Sequence, residues 1–107
     1  MDKLWKAAER KFATMLGGER KPINGREGSD IEHRWLSPEV KVRSASIPRY
    51  ILDWITQAVR GALVDQKKSR SAHLGVVIWH QKGAPYDEAI VMLRLSDFMD
   101  WFVGEAE

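Results

Sequence analysis

Residues 39–43 read Glu-Val-Lys-Val-Arg, a strict alternation of charged and apolar side chains. Only an extended strand with one wet face and one buried face accommodates that pattern, because successive strand side chains point to opposite sides. Pro38 precedes the run and suits the first position of a strand, where a missing N–H costs least. Helical patterns flank this segment. Leu4, Trp5, Ala8, Phe12, Met15 and Leu16 recur at spacings of three and four and predict a helix over 2–16, closed by Gly17-Gly18. A second helix is expected from Ser46 or its neighbour as cap, with Pro48 in the first turn, to about Val64, its inner face carrying Ile51, Ile55, Ala58 and Ala62.

The remaining elements follow from shorter signals. Residues 19–29 are basic and rich in turn formers, so they read as a loop, with room for a short strand near Pro22-Ile23. Asp30 to Trp35 is a predicted strand that turns at Leu36-Ser37 and pairs as a hairpin with 38–43. Residues 65–73 read as a basic loop, Leu74 to Trp79 as a central strand, Ala89 to Leu95 as another strand, and Ser96 as the cap of a short helix through Phe102. The order predicts an α/β fold: a central mixed β-sheet flanked by α-helices, in one domain spanning 1–107. Trp5, Trp54 and Trp79 fall on apolar faces and are expected in the core.

Composition removes several classes. No Cys occurs, which excludes disulfides, thiolate zinc sites and a Cys nucleophile. No run of 18 apolar residues exists, and the first ten residues mix Asp2, Lys3, Lys6, Glu9 and Arg10, so neither a membrane span nor a secretory signal is expected and a cytoplasmic location follows. His33, His73 and His80 form no His-x-x-x-His pair, and Gly-x-Gly-x-x-Gly, Walker-type and Gly-x-Ser-x-Gly motifs are missing. Charge is uneven. Residues 1–82 hold 16 Lys and Arg against 9 Asp and Glu, a net +7, and residues 83–107 hold 1 against 6, a net −5. The basic part suits a phosphate backbone, although an ordinary solvated surface gives the same count.

On the strand 38–43, Glu39 and Lys41 share a face, about 6.6–6.8 Å apart. A hairpin with 30–35 brings Asp30 toward them. Two carboxylates that converge form a site for a hard cation such as Mg²⁺, and an adjacent ammonium holds a water or a developing oxyanion. That set suits hydrolysis of a phosphodiester. Alternating charges on a strand face also arise simply by solvation. Glu9 adds weight: it lies along the apolar stripe of the first helix, between Trp5 and Phe12, where an unpaired carboxylate is costly. It is therefore either paired with a basic residue or used near a metal. Gln57 lies at the edge of the apolar face of the second helix, a place equally natural for a plain boundary residue.

Glu9 on a leading helix, Leu16-Gly17-Gly18 followed by Arg20 and Pro22, Asp30, Glu39-Val40-Lys41, Pro48 and Gln57-Ala58 together resemble the PD-(D/E)XK nuclease superfamily, in particular its small Holliday-junction-resolvase-like group from archaea and phages. The resemblance runs over about residues 4–100; Ser29 stands where the family motif has Pro. It implies a restriction-endonuclease-like core and cleavage of DNA to 5′-phosphate and 3′-hydroxyl ends. It further implies Mg²⁺ or Mn²⁺ at Asp30 and Glu39, with the Val40 carbonyl as a further ligand and Glu9 in support. Lys41 would orient the attacking water, and Gln57 would position Lys41 or the phosphate. Arg10, Lys11, Arg20, Lys21 and Arg26 would contact DNA phosphates. A homodimer acting on branched or four-way-junction DNA matches the two-fold symmetry of such a substrate. Alternatives are a nicking, flap or single-strand nuclease of the same fold, and a non-catalytic nucleic-acid-binding protein.

Overall fold

The first helix, α1 (Asp2–Leu16), spans the residues that the apolar spacing predicts. The buried side of α1 is the row Glu9, Ala13 and Leu16, with Trp5, Ala8 and Phe12 half-buried beside it. Leu4 and Met15, expected on the inner stripe, are exposed. At 3.6 residues per turn they lie about 120–140° round from Glu9, too far to share its face. Gly17, at φ +76°, ends the helix in the left-handed conformation that glycine adopts freely. This computed structural model describes residues 2–21 and 28–103. The strand considered near Pro22-Ile23 lies outside the described residues.

The chain forms two compact units, Met1–Ser46 and Ile47–Glu107. In the first unit, β1 (Glu19–Arg20) pairs antiparallel with β2 (Ile31–Glu32), Glu19 opposite Glu32 and Arg20 opposite Ile31. The ladder continues with the Lys21 N–H donating to the Asp30 carbonyl at 3.1 Å. So residues 31–32 pair backward with β1, where a hairpin with 38–43 was expected. Pro38 to Arg43 joins no ladder among the described residues, although its burial alternates as expected, Val40 buried and Glu39, Lys41 and Arg43 exposed; the reason is local. On that side of the run Pro38 has no N–H to give, and the Val40 N–H is taken by the Asp30 side chain. One main-chain bond survives, from the Asp30 N–H to the Pro38 carbonyl at 3.0 Å.

The core of the first unit is Ala13, Leu16, Ile31 and Val40, with the carboxylates of Glu9 and Asp30 buried among these elements. The end of α1 touches β2 closely: a Cβ on Gly18 would collide with the Glu32 carbonyl and press on Ile31. His33 fastens the same corner. Its Nε2 lies 2.8 Å from the Leu16 carbonyl, and its Nδ1 accepts from the Trp35 and Leu36 N–H groups at 3.2 and 3.1 Å. Accepting at Nδ1 leaves Nε2 as the donor, so one imidazole ties the C-terminal end of α1 to the turn after β2.

In the second unit, α2 (Arg49–Ser69) starts at Pro48 rather than at a Ser46 cap, and its first bond runs from the Ile51 N–H to the Pro48 carbonyl at 3.1 Å. The expected inner face holds: Ile55 is buried, and Ile51, Ala58 and Ala62 are half-buried. The helix continues five residues beyond Val64, through the stretch read as a basic loop. Gln66, Lys67 and Lys68 are good helix formers, and the two lysines sit where the helix dipole favours positive charge. Arg70, at φ 60°, closes it. The antiparallel pair β3 (Val77–Trp79) and β4 (Ile90–Met92) follows, shorter than expected at both outer ends, with an unanticipated 3₁₀ turn at Tyr86–Glu88 between them. A one-turn helix, α3 (Leu95–Phe98), begins after Arg94, not at a Ser96 cap, and runs into a wider π-type turn through Val103.

The architecture is mixed α and β. Among the described residues the strands make two separate two-stranded antiparallel sheets, not one central mixed sheet. Tryptophan placement also departs from expectation: Trp54 and Trp79 stay partly exposed, packed edge to face at 5.4 Å with Tyr50 against both. No helix among the described residues is long and apolar enough to cross a membrane.

Candidate functional site

Asp30 is the centre of the first unit's polar chemistry. It directly precedes β2, whose pairing with β1 and packing on α1 bury its side chain to 5% exposure. Its Oδ2 accepts the Val40 N–H at 2.7 Å, a short bond for an N–H donor. That bond sets the distance to the Glu-Val-Lys run. Adding one Cα–C–N step places the Glu39 Cα within about 5 Å of the Asp30 carboxylate. Glu39 and Lys41 then project outward from the same side of the extended run. Their heads meet at 3.4 Å, with 55% and 67% of the side chains exposed. The Val40 peptide thus links the buried Asp30 carboxylate to the backbone that carries the exposed Glu39–Lys41 pair.

Glu9 takes the first of the two roles open to it. Fully buried, it accepts from Arg20 Nε at 2.7 Å, bonding the middle of α1 to β1. Arg20 is thereby turned inward, its side chain only 16% exposed, and its Nη2 is buried without a hydrogen-bond partner among the described residues. Of the other residues assigned to phosphate contact, Arg10 and Lys11 are exposed on α1 and Lys21 is half-buried at the end of β1. Arg26 lies outside the described residues. Gln57 stands exposed on α2 in the second unit.

Asp30 is buried against the Val40 N–H, and the exposed Glu39 carboxylate lies beside Lys41. Among the described residues no group of three or more His, Asp or Glu side chains is arranged to hold a metal ion. Mg²⁺ is commonly bound by one or two carboxylates with water and substrate phosphate completing its shell, so a dedicated cage is not required. Two contacts escaped the sequence reading. The pairing of Glu9 with Arg20, eleven positions away, follows no helix or strand period. His33 was weighed as a metal ligand, but its work is to accept and donate main-chain bonds; a His at the end of a strand next to a turn was the available signal. Compared with known proteins, the chain matches no family, no curated protein and no solved structure.

Proposed function

We propose that the protein is a metal-dependent DNA endonuclease of restriction-endonuclease-like type, a structure-selective Holliday-junction resolvase that works as a homodimer. The observation that carries this reading is the 2.7 Å bond from the Val40 N–H to Asp30, which seats a buried carboxylate against the Glu39-Val40-Lys41 run. The donor set fits a hard cation: Asp30 and Glu39 would hold Mg²⁺ or Mn²⁺, with the Val40 carbonyl and water as further ligands. Bound there, the metal would supply charge stabilisation at the phosphoryl oxygens and an acidified water. Lys41, exposed and two positions from Glu39, would hold that water or the developing negative charge. Arg10 and Lys11 on the outer side of α1 add positive charge that a phosphate backbone can meet.

A second reading, a nucleic-acid-binding protein without catalysis, is favoured by two features. Glu9 and Lys41 already have ionic partners inside the unit, and no three-acid group forms among the described residues. Cleavage of junction, flap, nicked and linear DNA, each with Mg²⁺ and with EDTA, separates the two. The nuclease reading expects Mg²⁺-dependent products, most from the junction, with 5′-phosphate ends, lost on Lys41→Ala. Binding with steep salt dependence and no turnover on any substrate would establish the second.

A further inference from the structure

Beside Lys41 runs a groove of about 590 Å³, bounded on one side by Leu4 and Trp5 at the start of α1 and on the other by residues 40–44. Its size falls among sites for small molecules, about 300–1,000 Å³, and is far below what a duplex occupies. The lining has two characters. Leu4, Trp5, Val40 and Val42 give it an apolar, partly aromatic lining, and Leu4 keeps 66% of its surface open to solvent. Lys41 and Arg43 also line it, both exposed and alternating with Val40 and Val42. Lys41 pairs with Glu39 at 3.4 Å, and the Arg43 guanidinium donates to its neighbouring Val42 carbonyl at 2.9 Å. An apolar groove with an indole in its lining and cations beside it resembles the way proteins hold single strands: bases against aromatic and apolar side chains, phosphates against the charges.

We infer that this groove receives one unpaired nucleobase of a DNA strand whose phosphates pass Lys41 and Arg43. The inference rests on the nucleic-acid reading of the first unit and specifies the substrate further. A base within an intact duplex is stacked on both faces and enters such a groove only after it is pulled out, a cost that falls when it is already unpaired. DNA with an unpaired nucleotide is thus preferred over continuous duplex, and because Lys41 belongs both to the groove and to the candidate site, the unpaired nucleotide lies next to the phosphate placed for attack.

The test uses the full chain in EDTA, so that no strand is cut. The probe is a duplex carrying 2-aminopurine in a one-nucleotide bulge, compared with the same duplex fully paired. The bulged DNA is expected to bind at least tenfold more tightly, with a fall in 2-aminopurine emission on binding. Leu4→Glu and Arg43→Glu, both at exposed positions, should each remove the preference and the emission change while their melting temperatures stay close to that of the parent. Equal affinity for the two duplexes, unchanged emission, or a preference intact in both variants overturns the inference. Cutting in Mg²⁺ is measured separately. A chain that cuts but lacks the bulge preference loses the groove assignment and keeps the nuclease reading. A chain that shows the preference and the quenching but cuts no DNA keeps the groove and loses the nuclease.

Discussion

Removing Arg20 should destabilise the protein far more than its position on a two-residue strand suggests. Glu9 is fully buried and its Oε1 lies 2.7 Å from Arg20 Nε. At that distance and an effective dielectric constant near 20, the attraction is about 6 kcal/mol before the cost of desolvating both groups. Deleting one member of a buried pair strands the other and costs about 3–5 kcal/mol. Because Arg20 keeps 16% of its side chain in water, the lower end applies, about 3 kcal/mol for Arg20→Met. With a urea slope of about 1.5 kcal/mol/M, the unfolding midpoint falls by about 2 M. Glu9→Leu should cost a similar amount by leaving the guanidinium stranded. The double variant Glu9→Leu with Arg20→Met should recover at least about 2 kcal/mol relative to the sum of the singles, since apolar groups of similar volume replace a buried pair at little cost. Urea titration of all four proteins, followed by circular dichroism, gives the coupling. A coupling below about 0.5 kcal/mol would refute the reasoning, since Glu9 would then owe its place to something other than Arg20.

Three further outcomes follow from the same geometry. Asp30→Ala orphans the buried Val40 N–H and should cost about 1–3 kcal/mol in urea unfolding, whereas Asp30→Asn keeps an acceptor there and should cost clearly less. Gly18→Ala puts a methyl against the Glu32 carbonyl and should lower stability by about 1–3 kcal/mol, with the largest amide shift changes in NMR spectra at residues 16–20 and 31–33. Lys41→Ala removes an exposed charge whose ion pair contributes at most about 1 kcal/mol, so its unfolding curve should overlay that of the parent while Mg²⁺-dependent cutting disappears.

The helices were the most legible part of the fold, because a period of 3.6 leaves a long and redundant trace. The spacing of Trp5, Phe12 and Leu16 located α1, and Ile51, Ile55, Ala58 and Ala62 located the inner face of α2. Charge misled at the end of α2, where Lys67 and Lys68 suggested a loop but are good helix formers placed favourably for the dipole. Strand pairing was the least legible. Glu19–Arg20 has no apolar alternation to announce β1, and a two-residue ladder leaves almost no pattern. The charged alternation at 39–43 gave the inner residue Val40, but neither a strand nor its partner. That partner is decided by where Pro38 lacks an N–H and where Asp30 captures one. The sequence brings Asp30 to the 39–41 run through an expected hairpin, whereas in the structure a side-chain bond to the Val40 main chain links the two.

The central claim is that Asp30 and Glu39 serve one divalent cation beside Lys41. Paramagnetic broadening by Mn²⁺ in amide NMR spectra tests it most directly. Substoichiometric Mn²⁺ should erase the signals of Asp30, Ile31 and residues 39–41 first, Mg²⁺ should restore them by competition, and Asp30→Asn combined with Glu39→Gln should abolish the effect. Broadening that begins elsewhere, or that persists unchanged in the double variant, would contradict the assignment of a cation to these two carboxylates.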